Sequence, residues 1–187
     1  AAAASATVDR RGPPRKKGPM SDEKPTKLLI RKGEQEQLPQ QTMSHPLNPN
    51  SLVSGFSLSE AVGLTRLGLH VLRVPPGKES FIYHSHQFEE EFVYILSGRG
   101  MTEIDGQTYE VGPGDFMGFP TPSVAHHLTN PFDEDLVYIS GGERREMEVA
   151  EFPRAGKRGV RVRMSMTIYP TESGEPWKFE ETGAKEP

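Results

Sequence analysis

The chain has 187 residues, with 22 Lys and Arg against 26 Asp and Glu and a formal net charge of -4. That length carries one domain with a buried core plus extensions, and the acid excess excludes a global positive field that would recruit nucleic acid or an anionic membrane. Cysteine is absent, which removes disulfides and thiolate-held metals and is compatible with a reducing compartment.

The first residues, "AAAASATVDRRGPPRKKGP", are Ala-rich and basic and lack the apolar centre of a secretory signal. They read as a leader or a disordered extension over 1–27, with "MSDEKPTK" from Met20 as the native start. A transit peptide has the same composition, so the expected compartment is the cytoplasm with organellar import left open. No apolar run approaches the roughly 18 residues of a membrane span. Residues 28–65 form an N-terminal arm in which Ser57 and Glu60 are spaced as a capping box, and Gly63 limits the helix behind it to about a turn.

From residue 66 to 142 the texture is that of short strands. "LGLHVLRV", "SFIYHSH", "EFVYILSG", "GMTEID", "QTYEV", "FMGFP", "AHHLTN" and "LVYIS" follow one another, separated by Gly, Pro, Asn and Asp. Turn signals at about 8–12-residue spacing belong to an antiparallel sandwich or barrel. Asp105-Gly106 is the strongest hairpin signal, since a type I′ turn needs two residues tolerant of positive φ. In the C-terminal part, 143–187, "RVRMSMTIYP" reads as one more strand and "PWKFEE" as a polar tail. The basic string over 153–163 is flanked by acids and has no interleaved aromatics, so it reads as a solvated edge strand rather than an anion or RNA site.

Strand parity places the chemistry. His84 and His86 share a face with Ile82, and on the next strand Glu91 shares a face with Val93 and Ile95. Phe92, Tyr94 and Leu96 occupy the opposite face, so this strand is covered on both sides. A hairpin that joins the inner faces sets Glu91 against the histidine pair, a partial site for a first-row divalent cation. A further ligand comes from His126 or His127, which the residues alone leave open.

These segments resemble the cupins. Their first motif is carried by Gly77, His84-Ser85-His86, Glu91 after four intervening residues and Gly98 after six more, with a leading spacer of six residues where five is usual. The second is carried by "FPTPSVAHHLTN", in which Pro122 stands for the usual glycine and one extra residue precedes His126. Asn130, after three intervening residues, sets a register that selects His126 over His127. The resemblance is to small single-domain cupins of uncharacterised function. It implies an all-β double-stranded β-helix, or jelly-roll barrel, over 66–142 with flanking extensions. It also implies one divalent metal ion (Zn, Mn, Fe or Ni) held by His84, His86, Glu91 and His126, and a homodimer that exchanges terminal strands.

The function expected on these grounds is a metal-dependent enzyme on a small oxygen-rich organic substrate, dioxygenase-like ahead of lyase- or decarboxylase-like. The alternative is a non-catalytic small-ligand-binding module; neither nucleic acid nor membrane is an expected partner. Glu89 and Glu90 read as a solvated loop mouth, with Glu89 available as a base near the site. His70 reads as a hydrogen-bonded structural histidine, and Phe81, Tyr83, Phe92 and Tyr94 as outer packing. Met101, Phe116, Met117 and Phe119 divide between core and pocket lining. Tyr138 reads as packing rather than as a phenol aimed at the cavity.

Overall fold

The structure, a computed structural model, describes residues 27–175 and Trp177. The extension expected over 1–27, Lys27 apart, and the tail apart from Trp177 lie outside the described residues. The N-terminal arm carries α1 (Lys32–Gln35), β1 (Gln41–Met43), β2 (Val53–Ser57) and α2 (Leu58–Ala61). Ser57 Oγ accepts the Glu60 backbone N–H at 3.1 Å and so caps the second helix, as its sequence signature implies. There follow β3 (Leu67–Val74), β4 (Ser85–His86), β5 (Glu91–Ser97), β6 (Gly100–Ile104), β7 (Gln107–Val111), β8 (Phe116–Phe119) and β9 (His126–Thr129). The chain ends with β10 (Leu136–Glu143), β11 (Met147–Phe152), β12 (Lys157–Val162) and β13 (Ser165–Pro170).

One wall of the barrel is a six-stranded antiparallel sheet in the order β1-β2-β3-β10-β5-β8. The other is made of β7-β6-β9 and β13-β12-β11-β4. An isolated bridge links these two pieces: His84 and His126 exchange both backbone hydrogen bonds, at 3.1 and 2.8 Å. The fold is therefore all-β, as the turn spacing implies. Two turns show how glycine permits it. Asp105 and Gly106 take φ of 49° and 77° between β6 and β7, the pattern of a type I′ turn. Gly98 (φ 73°) lets the chain leave β5 for the other wall, and a Cβ there would stand 2.1 Å from Asp135 O.

The core explains where the site lies. On β3 the inward row runs Val74, Leu72, His70; on β10 it runs Leu136, Tyr138, Ser140; on β5 it runs Ile95, Val93, Glu91. The first two residues of each row are buried apolar or aromatic groups, and the third is polar. Register aligns them, with Leu136 opposite Val74, Tyr138 opposite Leu72 and Ser140 opposite His70. Gly142 stands opposite Glu91. The apolar core thus ends at His70 and Ser140 on β3 and β10 and one inward position further along on β5, where Val93 stands opposite Ser140 and Glu91 opposite Gly142; beyond it the barrel mouth is polar. Burial of each large apolar side chain contributes about 1.5–3 kcal/mol, so this interior fixes the strands that present the polar layer.

Asn130 closes the second motif for a structural reason. It is 1% exposed; its amide donates to Val74 O at 2.8 Å and Glu134 O at 2.7 Å, and its carbonyl accepts Phe132 N–H at 3.1 Å. The basic segment differs from expectation. β12 lies between β11 and β13 rather than at an edge, because β13 adds outside it. Its cations are matched by carboxylates: Arg154 pairs with Glu103, Arg158 with Glu151 and Arg161 with Glu89. Among the described residues no helix is long and apolar enough to cross a membrane.

Candidate metal centre

Four groups from four parts of the chain meet where the two walls face each other at the mouth. His86 lies in β4, which pairs with β11; its backbone N–H donates to Ser123 Oγ at 2.7 Å, and Ser123 N–H donates to His86 O at 2.8 Å. His84 and His126 are the bridge pair that joins the sheet pieces, and Glu91 opens β5 on the opposite wall. The Nε2 atoms of His86 and His126 each stand 3.2 Å from Glu91 Oε2, and that of His84 stands 4.0 Å away. All four ligand atoms lie within 4.8 Å of one another.

The outward faces of the three rings are also occupied by acceptors. His84 Nδ1 is 2.6 Å from Ile82 O, and His126 Nδ1 is 3.1 Å from Val124 O. His86 Nδ1 is 3.6 Å from a carboxylate oxygen of Glu148 and has no hydrogen-bond partner. A neutral imidazole carries one N–H, yet each of these rings sits between two acceptors. Protonating all three would place three positive charges together in a buried site. One divalent cation among the Nε2 atoms and the carboxylate resolves the same conflict, leaving each Nδ1 proton for its outer acceptor. The residues present therefore fit a divalent ion with nitrogen and oxygen preference.

Residues 70–141 match the cupin domain family. The fold also matches the crystal structure of a protein from Acidithiobacillus ferrooxidans whose name offers it as a candidate sugar phosphate isomerase. That protein is 35% identical, with a TM-score of 0.78 over 81% of this chain and 97% of the other. The chain belongs to the cupins. A sugar phosphate isomerase of the cupin superfamily from Silicibacter pomeroyi shares the fold at 21% identity, with a TM-score of 0.67 over 76% of this chain and 94% of that one. The uncharacterised protein MJ1618 of Methanocaldococcus jannaschii is 39% identical over 57 residues, which are 30% of this chain and 44% of that protein. The chain spans less than half the length of the curated relatives it matches.

Within this cupin, burial and charge set the ionisation of the site. Burial is the largest influence on His84 and holds its pKa down to about 3 despite the Glu91 charge. Burial also opposes charge on His86, but the hydrogen bond and charge of Glu91, with Glu148 and Glu89 behind, outweigh it and raise its pKa. For Glu91 burial pushes upward, and hydrogen bonds from His126 and His86 more than reverse it, so the carboxylate stays ionised. Ser140 Oγ donates to Glu91 Oε1 at 3.3 Å, leaving Oε2 to the imidazoles. Phe119 stacks on His126 with centroids 3.7 Å apart at 8°, fixing the ring plane.

The other sequence-singled residues divide clearly. His127 is not with the cluster; it faces Glu79 at 3.5 Å. Met117, Phe119 and Tyr138 line a small cavity of about 30 Å³ behind the ligands, whereas Phe116 is 65% exposed on the outer face. On the solvent side the ligands open into a chamber of about 300 Å³ bounded by His70, Glu89, Ser140 and Arg144. His70 is thus a chamber residue rather than core filling. Glu148 escapes the sequence reading altogether. It is 2% exposed and accepts the Gln87 N–H at 2.9 Å and the Phe88 N–H at 3.2 Å. Only its place on the buried parity of β11, with Ala150 and Phe152, distinguishes it from Glu151.

Two expectations follow from this geometry. Glu148→Gln weakens metal affinity by about 10–100-fold, read by competition with a chromogenic chelator; an unchanged affinity contradicts the role of Glu148 behind His86. The second concerns pH. Burial holds His45, His70, His84 and His127 below the ordinary 6.5, against His86 alone raised. The unfolded chain therefore binds more protons than the folded one just below that value, and stability falls on acidification. The urea midpoint of chelator-treated protein is expected to drop between pH 7 and 5, and a midpoint that rises over that window contradicts the assignment.

Proposed function

We propose that this cupin is a metal-dependent enzyme that moves a proton on a small hydroxy-carbonyl compound, chemistry of the isomerase class. The observation that carries the reading is the convergence of three imidazoles and one carboxylate at the floor of a polar chamber large enough for a small organic molecule. The 35% identity to a protein named for candidate sugar phosphate isomerisation, over 97% of that protein, supports the same class. A divalent ion at His84, His86, Glu91 and His126 supplies Lewis acidity toward substrate oxygens when bound.

The remaining tasks fall to the chain. Glu89 projects into the chamber and is held by Arg161 and by the Arg145 backbone N–H. It is the carboxylate placed to take a proton from substrate and return it at the neighbouring carbon. Ser140 keeps the Glu91 carboxylate oriented, and the apolar layer of Val93, Leu72 and Tyr138 closes the chamber floor against water from within the barrel. The cytoplasm is the proposed compartment, in keeping with a chain free of cysteine.

Incubation of metal-loaded protein with aldose and ketose substrates in deuterium oxide tests the reading. Deuterium incorporation next to the carbonyl is expected, abolished by chelation and reduced at least about 100-fold in His84→Ala and His126→Ala. Oxygen uptake in place of exchange returns the dioxygenase reading of the same ligands. Ligand-dependent stabilisation without exchange or uptake favours the binding module.

A homodimer is proposed through the outer face of the six-stranded sheet. There Phe92 and Phe116 stack at 5.9 Å, beside Tyr94 at 39% and Leu96 at 41% exposure. Such an apolar patch on a sheet face is suited to a subunit contact. Sedimentation equilibrium is expected to give twice the chain mass and to shift toward the monomer in Phe116→Glu; a monomeric wild-type protein contradicts the proposal.

A further inference from the structure

Arg144, one residue past β10, borders both the 300 Å³ chamber and a larger surface groove of about 820 Å³ that also carries Arg66 and Arg145. The Arg144 guanidinium is held at the junction: Nη2 lies 3.3 Å from Glu60 Oε1 and donates to His70 Nε2 at 3.4 Å. Its backbone N–H donates to Arg66 O at 2.9 Å, which ties the two arginines together. Gly68 makes room for this arrangement. A Cβ there would stand 3.2 Å from Arg144 Nε and 3.5 Å from His70 Nε2, so a side chain at that position would press the arginine aside by a few tenths of an ångström.

The charges around the groove are unequally committed. Glu143 is engaged by Arg145 through Nε and Nη2, both at 3.1 Å, and Glu89 by Arg161. Arg66 forms no ion pair with a described residue, although its charge acts on Glu143; the groove also carries Glu146, and the one carboxylate on Arg144, Glu60, has a side chain 56% exposed. Cationic capacity therefore remains at the lip of the chamber. The line from the ligands to this lip is short. Ser140 touches Glu91, His70 is the cross-strand partner of Ser140, and Arg144 touches His70.

We infer that Arg144 and Arg66 form an anion subsite for the phosphate group of a phosphorylated substrate whose hydroxy-carbonyl end lies at His84, His86, Glu91 and His126. The inference rests on the proposed isomerase reading for the second half of that statement. Arginine's planar fork matches phosphate oxygens. A carboxylate offers Arg144 little beyond what Glu60 already provides, whereas a phosphate monoester brings a second charge and three acceptor oxygens. The open groove leaves the rest of such a group hydrated, and His70, accepting from Arg144, keeps the guanidinium aimed at the chamber.

The test is calorimetric titration of inorganic phosphate into the full chain, as purified and after chelation, followed by ribose 5-phosphate and ribose on the metal-loaded protein. Phosphate binding is expected to survive chelation, because the subsite lies outside the metal ligands. Arg144→Gln is expected to weaken it at least about tenfold and Arg66→Gln several-fold, both at unchanged metal content. Gly68→Ala, which displaces Arg144 without removing a charge, is expected to weaken it too. Ribose 5-phosphate is expected to bind at least about tenfold tighter than ribose, and Arg144→Gln to erase that difference. Phosphate binding that vanishes with the metal, or that is indifferent to Arg144→Gln, overturns the subsite. Arg144-dependent phosphate binding without deuterium exchange on any substrate keeps the anion subsite and removes the isomerase reading. Exchange that ignores both phosphorylation and Arg144→Gln does the reverse.

Discussion

A single carboxylate oxygen facing three imidazole rings is the constraint on which this barrel mouth depends. Each ring has an acceptor on both sides: Glu91 within, and a backbone carbonyl or Glu148 without. No distribution of imidazole protons satisfies all six contacts without gathering like charges in a buried space. A small multivalent cation does so at once, and the outer acceptors then orient each ring for it. The same groups have a mechanical duty, since the His84–His126 backbone pair links the two pieces of the second wall. Site and sheet are therefore not separable: His86, Glu91 and His126 sit on strands, and His84 forms an isolated bridge beside β4.

The barrel places this site by ending its apolar core near the mouth, at His70 and Ser140 on two strands and one inward position further along, at Glu91, on the third. His70, Ser140 and Glu91 are the third members of inward rows whose first two are buried apolar or aromatic residues. The apolar layer gives the mouth a dry floor, which strengthens charge interactions above it. The polar layer gives it hydrogen-bond capacity toward an oxygen-rich guest. Around the rim, the arginines of β12 and its flanks are committed to Glu89, Glu103 and Glu151. That commitment positions Glu89 over the chamber and leaves Arg144 and Arg66 as the rim cations facing the groove.

A two-residue repeat puts His84 and His86 on one face of any strand, as expected. The expected hairpin with Glu91 does not form: β4 pairs with β11 and β5 with β10 and β8, so Glu91 meets the histidines from the opposite wall. The choice of His126 over His127 rested on its register to Asn130, whose buried hydrogen bonds now show why that position is fixed. His70 is hydrogen-bonded, by Arg144, as expected; that it also borders the chamber was not legible, because parity says which way a side chain points and not how far along the strand the core extends.

By itself the sequence determined the alternation of strands and turns and the parity of each strand, which follow from short-range backbone periodicity and spacing, while His84, His86, Glu91 and His126 were singled out as candidate ligands through the resemblance to the cupins. Only the tertiary structure decided that β12 is an inner strand, that Glu148 stands behind His86 from a strand some sixty residues away, and that Arg144 lies over Gly68 at the chamber lip. These depend on which distant strands pair and in what register. That choice belongs to the packing of the whole interior and leaves no periodic trace in any one segment.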